Sequence, residues 1–308
     1  MRAVVMRSYG GPEVLALEEL APPEPLLTEV FVRVRAAGTN PVDTMVRSGA
    51  LPLVKPPGIL GWDVSGIVEK VFPGVTRFRV GDEVFGMPFF PRPAGAYAEY
   101  VAAPARQLAR KPAALGHIQA AGLPLAGLTA WQGLVDAAGV QPGQRVLIHA
   151  ASGGVGHLAV QIAKAHGAYV VGTASRAKHD FVRSLGADEV IDYRETDFTE
   201  AVRDVDVAFD LVGRDYTART LEILRPGGAL VTISRTNAEL VARAEATGRR
   251  YIGFAVEPDS VCLERLATLV AEGKLRVHVG QTFPLEEAAR AHTLYAGGHP
   301  PGKIVLTV

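Results

Sequence analysis

Cysteine is almost absent from this sequence of 308 residues. The one cysteine, Cys262, has no second thiol with which to form a disulfide inside the chain. A structural zinc site built from a cluster of cysteines is excluded for the same reason. We expect Cys262 to pack in a hydrophobic core, with a reactive thiol as the alternative.

The sequence also lacks a charge imbalance and a long apolar run. Lys and Arg together number 32, as do Asp and Glu, so the formal net charge is zero. Proteins that bind nucleic acid normally carry a net basic face, so this balance argues against that class. The apolar start, residues 1–6, is too short for a signal peptide or a membrane span, and longer stretches are broken by charge, Gly or Pro. We therefore expect a cytoplasmic protein without a membrane or nucleic-acid partner.

Short strands separated by Pro and Gly turns are predicted for the first third of the chain. In the segment 29–35, for example, Val30, Val32 and Val34 fall on one face of an extended strand. Many short strands of this kind are typical of a compact, barrel-like β domain. We predict such a domain for residues 1–118.

The pattern changes near residue 118 to alternating helices and strands. Residues 119–140 are rich in Ala, Leu and Gly and predict a helix, and the apolar run 145–149 predicts a strand buried on both faces. The alternation that follows predicts a parallel, doubly wound sheet over residues 119–255. We predict an α/β fold in which residues 256–308 return to the first domain and make it discontinuous.

A glycine-rich loop follows the predicted strand 145–149 directly and precedes a helix. Gly153 would let the backbone approach a pyrophosphate, and Gly156 would let the helix pack close to the strand. The helix start would offer N–H groups and a positive dipole end to the phosphates. Ala151 replaces the usual first glycine, and a tight turn without a ligand is the alternative. The cofactor-binding residues predicted here are Ser152, Gly153, Gly154, Val155 and Gly156.

The end of the next strand indicates which dinucleotide is bound. Sites that prefer NAD normally have an acidic residue there, and the segment 172–178 has none. Ser175, Arg176 and Lys178 could instead hold a 2′-phosphate by charge-assisted hydrogen bonds. Solvated surface charges are the alternative, but basic residues at a helix start oppose its dipole, and a bound phosphate would offset that. The sequence predicts NADPH rather than NADH.

A series of motifs in a fixed order carries a family resemblance over nearly the whole chain. These motifs lie at residues 36–43, 61–66, 80–85, 95–100, 127–130, 151–156 and 225–228. With them the chain resembles the medium-chain dehydrogenase/reductase superfamily, specifically its zinc-free quinone oxidoreductase (zeta-crystallin-like) branch. The resemblance implies a GroES-like β-barrel domain beside a Rossmann domain, with the active site in the cleft between them. It also implies a homodimer formed through the Rossmann domains, with an edge strand near 251–254 or 229–233 in contact.

Two positions separate this chain from the zinc-dependent members of that superfamily. Those members have a cysteine where this chain has Asn40 and a histidine where it has Trp62, and they carry a lobe with four cysteines. An indole ring cannot ligate zinc, and the eight histidines show no ligand spacing. The sequence therefore predicts no metal, and alcohol oxidation through a zinc-bound alkoxide has no support.

The resemblance also implies site residues. Asn40 would hydrogen-bond near the nicotinamide ribose or the substrate, an Asn-Pro turn being the alternative. Thr129 would place a hydroxyl near the cofactor, unless it bonds its own helix. The wall of the nicotinamide site would include Val212, Ser234, Phe254 and Val256.

Two further residues are candidates at the substrate end. Asp43 is a titratable candidate on an early loop, although a carboxylate that caps a helix or turn is the favoured alternative. Trp62 could stack on a planar substrate, although aromatic residues lie more often in a core. No residue is identified as a general acid, so solvent would supply the proton.

These features predict an NADPH-dependent reductase that transfers a hydride to a quinone or an α,β-unsaturated carbonyl compound without zinc. An enoyl-thioester reductase is the first alternative. It would need a basic mouth, for which Arg47, Lys55, Arg92, Arg243, Arg249 and Arg250 are available. A non-catalytic NADPH-binding sensor or structural protein is the second alternative.

Overall fold

The computed structural model of the chain describes residues 1–233, 236–298 and 300–308. It divides into two compact units, Met1–Leu128 with Glu257–Val308 and Thr129–Val256. The sequence prediction placed these changes after residues 118 and 255. The first change therefore falls ten residues later than predicted, inside a helix.

The described residues form the following strands and helices. The strands are β1 (Arg2–Met6), β2 (Leu15–Glu19), β3 (Glu29–Thr39), β4 (Gly58–Ile59), β5 (Asp63–Val71), β6 (Glu83–Gly86), β7 (Tyr100–Pro104), β8 (Leu108–Arg110), β9 (Arg145–Ile148), β10 (Tyr169–Ala174), β11 (Glu189–Asp192), β12 (Val205–Asp210), β13 (Leu224–Thr232), β14 (Arg250–Gly253), β15 (Val279–Pro284) and β16 (Lys303–Thr307). The α-helices are α1 (Pro41–Ser48), α2 (His117–Ala121), α3 (Pro124–Trp131), α4 (Gly156–Ala165), α5 (His179–Ser184), α6 (Phe198–Ala201), α7 (Asp215–Ile223), α8 (Ala238–Ala246), α9 (Ser260–Ala271) and α10 (Ala288–Gly297). A π-helix covers Gln132–Ala137, and 3-10 turns cover Pro12–Val14, Ala105–Gln107, Arg176–Lys178 and Leu285–Glu287.

The described residues of the first unit form two sheets. The larger sheet has the order β15-β16-β3-β5-β6-β8, with β7 also paired to β3, and the smaller has the order β2-β1-β4. The long strand β3 alternates valines toward the core, as its sequence predicts. The C-terminal strand β16 runs antiparallel to β3, with Ile304 opposite Thr39. The end of the chain is therefore built into the sheet of its first third.

The second unit is a six-stranded parallel sheet with the order β11-β10-β9-β12-β13-β14. The predicted doubly wound α/β fold is confirmed. Val146, Leu147 and Ile148 of the central strand β9 are fully buried, as a strand covered on both faces requires. Because all six strands run in the same direction, their carboxyl ends share one edge of the sheet.

Two sequence predictions are wrong in detail. The single helix predicted over residues 119–140 is divided into α2, α3 and the π-helix. Pro124 lacks a backbone N–H and favours the first position of a helix, so a new helix begins there. The strand at residues 229–233 is not an edge strand, because β13 pairs with β12 on one side and β14 on the other.

The helices are short. The longest α-helix, α9, buries Cys262 in the packed environment that was expected for it. Among the residues that the structure describes, no helix has both the length and the apolar character needed to cross a membrane.

Candidate active site

The glycine-rich loop lies between β9 and α4 at the carboxyl edge of the parallel sheet. A Cβ atom added to Gly156 would lie 2.2 Å from the carbonyl oxygen of Ala150, so only glycine lets α4 pack this closely. The backbone of Gly153 donates a hydrogen bond to Ala150 O at 2.9 Å and closes the turn. The start of a ten-residue helix, with its positive dipole end, therefore lies directly at the loop.

Ala151, which replaces the usual first glycine of the fingerprint, is accommodated by a glycine on the neighbouring strand. Its methyl group lies 2.9 Å from the position that a Cβ atom of Gly172 would occupy. The missing side chain on β10 thus provides the space that the methyl group needs. The departure from the usual motif changes the packing beneath the loop and leaves the turn intact.

The buried residue His149, which the sequence did not point to, packs next to the loop. His149 follows β9, and its ring contacts the hydroxyls of Thr173 at 3.3 Å and Thr220 at 2.9 Å. The Thr173 hydroxyl also accepts the N–H of Ala150 at 3.2 Å, a residue with a φ of +50°. Burial lowers the pKa of His149 to about 4, so the ring is neutral at pH 7. Only its position at the end of a buried strand could have indicated it.

The turn that follows β10 carries the three residues predicted to hold a 2′-phosphate. Ser175 precedes the 3-10 turn Arg176–Lys178, and the side chain of Arg176 is exposed. Asp192, at the end of β11, accepts the backbone N–H of Arg176 at 2.9 Å. The nearby acid that the sequence did not reveal is thus bonded to the backbone of this turn. It fixes the turn from which Arg176 and Lys178 extend.

Three of the predicted wall residues of the second unit lie beyond the ends of β12 and β14. Val212 is 41% exposed, and its backbone N–H is held by the carboxylate of Asp210 at 2.9 Å. Phe254 follows β14, and its ring centroid lies 6.5 Å from that of Phe209. Val256 is buried two residues later. Ser234 lies outside the described residues.

Thr129 lies within α3 and is buried. This helical setting is compatible both with the expected hydroxyl near a cofactor and with the alternative of a bond inside the helix.

In the first unit, Asn40 caps α1 and is buried. Its backbone N–H donates to Asp43 Oδ2 at 2.7 Å, and its side-chain Nδ2 donates to Asp63 Oδ2 at 2.9 Å. The ammonium of Lys303 donates to Asn40 Oδ1 and, at 2.9 Å, to the carbonyl oxygen of Thr39. Asp63 and Lys303 did not emerge from the sequence, because β5 and β16 meet at Asn40 only in the folded sheet.

Asp43 is a fully buried carboxyl inside a polar cluster. Tyr97 donates its hydroxyl hydrogen to Asp43 Oδ2 at 2.8 Å, and the same hydroxyl contacts His292 Nε2 at 3.1 Å. Burial raises the pKa of Asp43 to about 7, against the opposing effect of the bonds from Tyr97 and Asn40. Burial lowers the pKa of His292 to about 3. The expected helix-cap role of Asp43 is therefore realised through the backbone of Asn40.

Trp62 has no exposed surface. Its indole N–H donates to the carbonyl oxygen of Arg92 at 2.7 Å, and the edge of its ring packs against Phe90 at a centroid distance of 5.2 Å. This is the core environment that the sequence left as the alternative to stacking on a substrate.

No group of three or more His, Cys, Asp and Glu side chains within residues 1–233, 236–298 and 300–308 could hold a metal ion. A dinucleotide fits the second unit on other grounds. The tight turn closed by Gly153 and the close packing at Gly156 place the start of α4 at the loop, where the N–H groups of a helix start can bind a phosphate.

Comparison with known proteins gives matches over the whole chain. Residues 27–113 match the family described as alcohol dehydrogenase GroES-like domain, and residues 185–306 match the family described as zinc-binding dehydrogenase. The predicted GroES-like domain is thereby confirmed.

Individual relatives also span the full length. A 2-haloacrylate reductase from a Burkholderia species is 37% identical over 99% of this chain and 98% of its own length. The structure of a quinone oxidoreductase from Coxiella burnetii superposes with a TM-score of 0.95 at 38% identity, covering 100% of this chain and 99% of that one. An Escherichia coli quinone oxidoreductase solved with NADPH gives a TM-score of 0.90 at 32% identity, with 100% of both chains covered.

Proposed function

Because this chain belongs to the quinone oxidoreductase branch of the medium-chain dehydrogenase/reductase superfamily, we propose that it is an NADPH-dependent reductase. It transfers a hydride to a quinone or an α,β-unsaturated carbonyl compound, and it works without zinc. The observation that carries this proposal is the glycine-rich loop, together with basic residues in the turn after the next strand, where an acid would favour NAD.

The second unit holds the cofactor through its backbone and three side chains. Ser152, Gly153, Gly154 and Val155 would hold the pyrophosphate at the start of α4, which packs close to the loop because Gly156 has no Cβ atom. The side chains of Ser175, Arg176 and Lys178 would hold the 2′-phosphate. The neighbour solved with NADPH supports this choice of cofactor.

The nicotinamide end is bounded by residues beyond the parallel strands and in α3. We assign Thr129, Val212, Phe254 and Val256 to this end, whereas Ser234, which the sequence also predicts there, lies outside the described residues. NADPH supplies the hydride when it is bound, and these side chains orient the ring and exclude water.

The acceptor is a conjugated compound, as the names of a 2-haloacrylate reductase and several quinone oxidoreductases among the relatives indicate. Such an acceptor is already electrophilic at the carbon or ring that receives the hydride, so it needs no Lewis acid. The chain also offers none of the usual zinc ligands at the two key positions. The amide of Asn40 is held by Asp63 and Lys303, and the indole of Trp62 donates to a carbonyl oxygen.

Asn40 would hydrogen-bond the cofactor or the substrate, whereas Asp43 and Trp62 act from within the first unit. Asp43 holds the backbone of Asn40, and Trp62 packs beneath the loop that carries Phe90. Solvent supplies the proton that completes the reduction. We also propose that the protein is a cytoplasmic homodimer that contacts its second copy through the second unit.

The proposal is tested by following oxidation of NADPH and NADH with a benzoquinone, an enone, an enoyl thioester and a simple aldehyde, each with and without a chelator. We expect turnover of the quinone or the enone with NADPH, unchanged by the chelator. A strong preference for the thioester would favour the enoyl-thioester reductase. Tight NADPH binding without turnover of any acceptor would favour a sensor or structural protein.

A further inference from the structure

Asp63 and Lys303 form a buried ion pair next to the side chain of Asn40. Asp63 begins β5 and has no exposed surface, and Lys303 begins β16 and is 2% exposed. The Lys303 ammonium lies 3.5 Å from Asp63 Oδ2. Burial raises the pKa of Asp63 and lowers that of Lys303, while the charge of each partner opposes the shift of the other. The pair is therefore kept inside the first unit at an energetic cost.

This pair holds both ends of one amide. The ammonium of Lys303 donates to Asn40 Oδ1, and Asp63 Oδ2 accepts a hydrogen of Asn40 Nδ2 at 2.9 Å. An ammonium has only donors and an ionised carboxylate only acceptors, so the two charges select one of the two orientations of the amide. With this orientation the oxygen of Asn40 is occupied and its nitrogen keeps a second hydrogen to donate.

The other bonds of the pair fix its own position. Asp63 Oδ1 accepts the backbone N–H of Leu125 at 2.7 Å, so the carboxylate cannot rotate without losing a bond. Lys303 Nζ also donates to the carbonyl oxygen of Thr39 at 2.9 Å. The pair, carried by β5 and β16, is thus held by backbone groups of two other elements, β3 and the start of α3.

Stability alone does not account for such a pair. Replacing a buried ion pair by apolar side chains of similar volume is often neutral or stabilising, whereas removing one partner is strongly destabilising. We propose that Asp63 and Lys303 are positioning residues that fix Asn40 as a hydrogen-bond donor toward the bound NADPH or acceptor. This inference rests on the proposed reductase function and adds to it the pair that controls the direction of the Asn40 amide.

The test removes both charges together. In the variant Asp63→Asn/Lys303→Met, the new amide at position 63 keeps its oxygen for the Leu125 N–H and turns its NH2 group toward Asn40. The Asn40 amide then flips, so that its oxygen takes the position that the NH2 group has in the wild type. We expect each single variant to unfold more readily than the wild type, because it leaves one buried charge unpaired. We expect the double variant to recover most of that stability but to lose about 10- to 100-fold in kcat/KM.

The same exchange in an Asn40→Ala background shows whether the pair acts through Asn40. If it does, removing the pair from Asn40→Ala lowers kcat/KM by less than about threefold, since the amide to be oriented is already gone. The matched control is Glu83→Gln/Lys111→Met. It removes a second lysine–carboxylate pair of the same unit, with an N–O distance of 3.0 Å, and should leave kcat/KM unchanged.

Two outcomes contradict the proposal. In one, the double variant recovers both stability and kcat/KM, so the pair is purely structural. In the other, the loss in the Asn40→Ala background equals the loss in the wild-type background. If the wild type itself shows no turnover, the proposed reductase function is contradicted, and the positioning role that rests on it is contradicted as well.

A measurement on the wild type covers the case in which the double variant does not fold. The side-chain amide protons of Asn40 are assigned in a nitrogen-15 NMR spectrum by their loss in Asn40→Ala. We expect one of them to be shifted downfield and protected from exchange by its bond to Asp63. Two rapidly exchanging amide protons with unshifted resonances would contradict a fixed orientation.

Discussion

At the scale of single residues, the buried carboxyl of Asp43 shows how a helix cap acquires a pH response. Asp43 is bonded to Asn40 and Tyr97 in a site without solvent. Its pKa rises from 3.8 to about 7. The folded protein therefore binds a proton that the unfolded chain releases between these two values.

We predict that the stability contributed by this proton is fully present below about pH 4 and is lost as the pH rises through about 7. The free energy of unfolding of the wild type, relative to that of Asp43→Asn, should fall over this interval by at most ~4 kcal/mol. Chemical denaturation of both proteins at several pH values measures it. His292, with its lowered pKa, makes the free energy of unfolding rise with pH below about 6.5. Because His292 is present in both proteins, this effect cancels in the comparison. A difference that does not vary with pH would show that Asp43 is ionised throughout.

Arg176 offers a residue-scale test of cofactor choice. Its guanidinium is exposed on a turn whose backbone is held by Asp192, so Arg176→Ala should remove one phosphate contact and leave the turn in place. We predict a rise of about 10- to 100-fold in KM for NADPH, as expected for a lost charge-assisted hydrogen bond. KM for NADH should change by less than about threefold. Arg183→Ala, which removes another exposed arginine from the following helix, is the control. An equal effect on both cofactors would contradict the assignment.

The residues that could be predicted from the sequence are those whose role depends on neighbours in the chain. Arg176 and Gly156 were selected because they lie at fixed distances from a strand end. Lys303 and His292 could not be selected in this way. Each contacts a partner that is about two hundred residues or more away in the sequence, and a local sequence pattern does not indicate such a contact.

At the scale of elements, the close packing of β9, the loop and α4 is the feature most sensitive to a single methyl group. In Gly156→Ala the added Cβ atom would lie 2.2 Å from Ala150 O, so the loop must shift. We predict a loss of about 1–3 kcal/mol in the free energy of unfolding, as for an overpacked site, and a rise of at least about tenfold in the Kd of NADPH.

The control for this element is Gly297→Ala in α10. Apart from its chain neighbours and the backbone of its own helix, no heavy atom of the described residues lies within 4 Å of its added Cβ atom, so this change should leave stability equal or slightly higher and the Kd of NADPH unchanged. Binding of NADPH by Gly156→Ala with wild-type affinity would show that the loop does not hold the cofactor.

Elements with a strong apolar period were predicted well, and those defined by turn chemistry were not. The central strand β9, for example, lies within the apolar run 145–149. Helix α1 was interpreted as a loop because it is short and begins at Asn40-Pro41, and the long helix predicted over 119–140 is interrupted at Pro124. In both regions a proline decides where the helix starts, and the apolar pattern alone does not contain that information.

At the scale of the whole molecule, the edge strand β14 is the expected contact in a homodimer. It pairs with β13 on one side only, and Ile252 within it is partly exposed. We predict that sedimentation at micromolar protein gives a dimer and that Ile252→Lys gives a monomer, because a charge on an edge strand opposes pairing between copies. A wild type that sediments only as a monomer would contradict the expected assembly.

The central claim, direct hydride transfer from NADPH to a conjugated acceptor without a metal, is tested most directly by isotope transfer. Chelator-treated protein is mixed with an enone and NADPH that carries deuterium at the transferable position of the nicotinamide, and the product is analysed by mass spectrometry and NMR. We predict one deuterium on the carbon β to the carbonyl and a solvent-derived proton on the α carbon. A product without deuterium, or no product at all after removal of metal, would contradict the account.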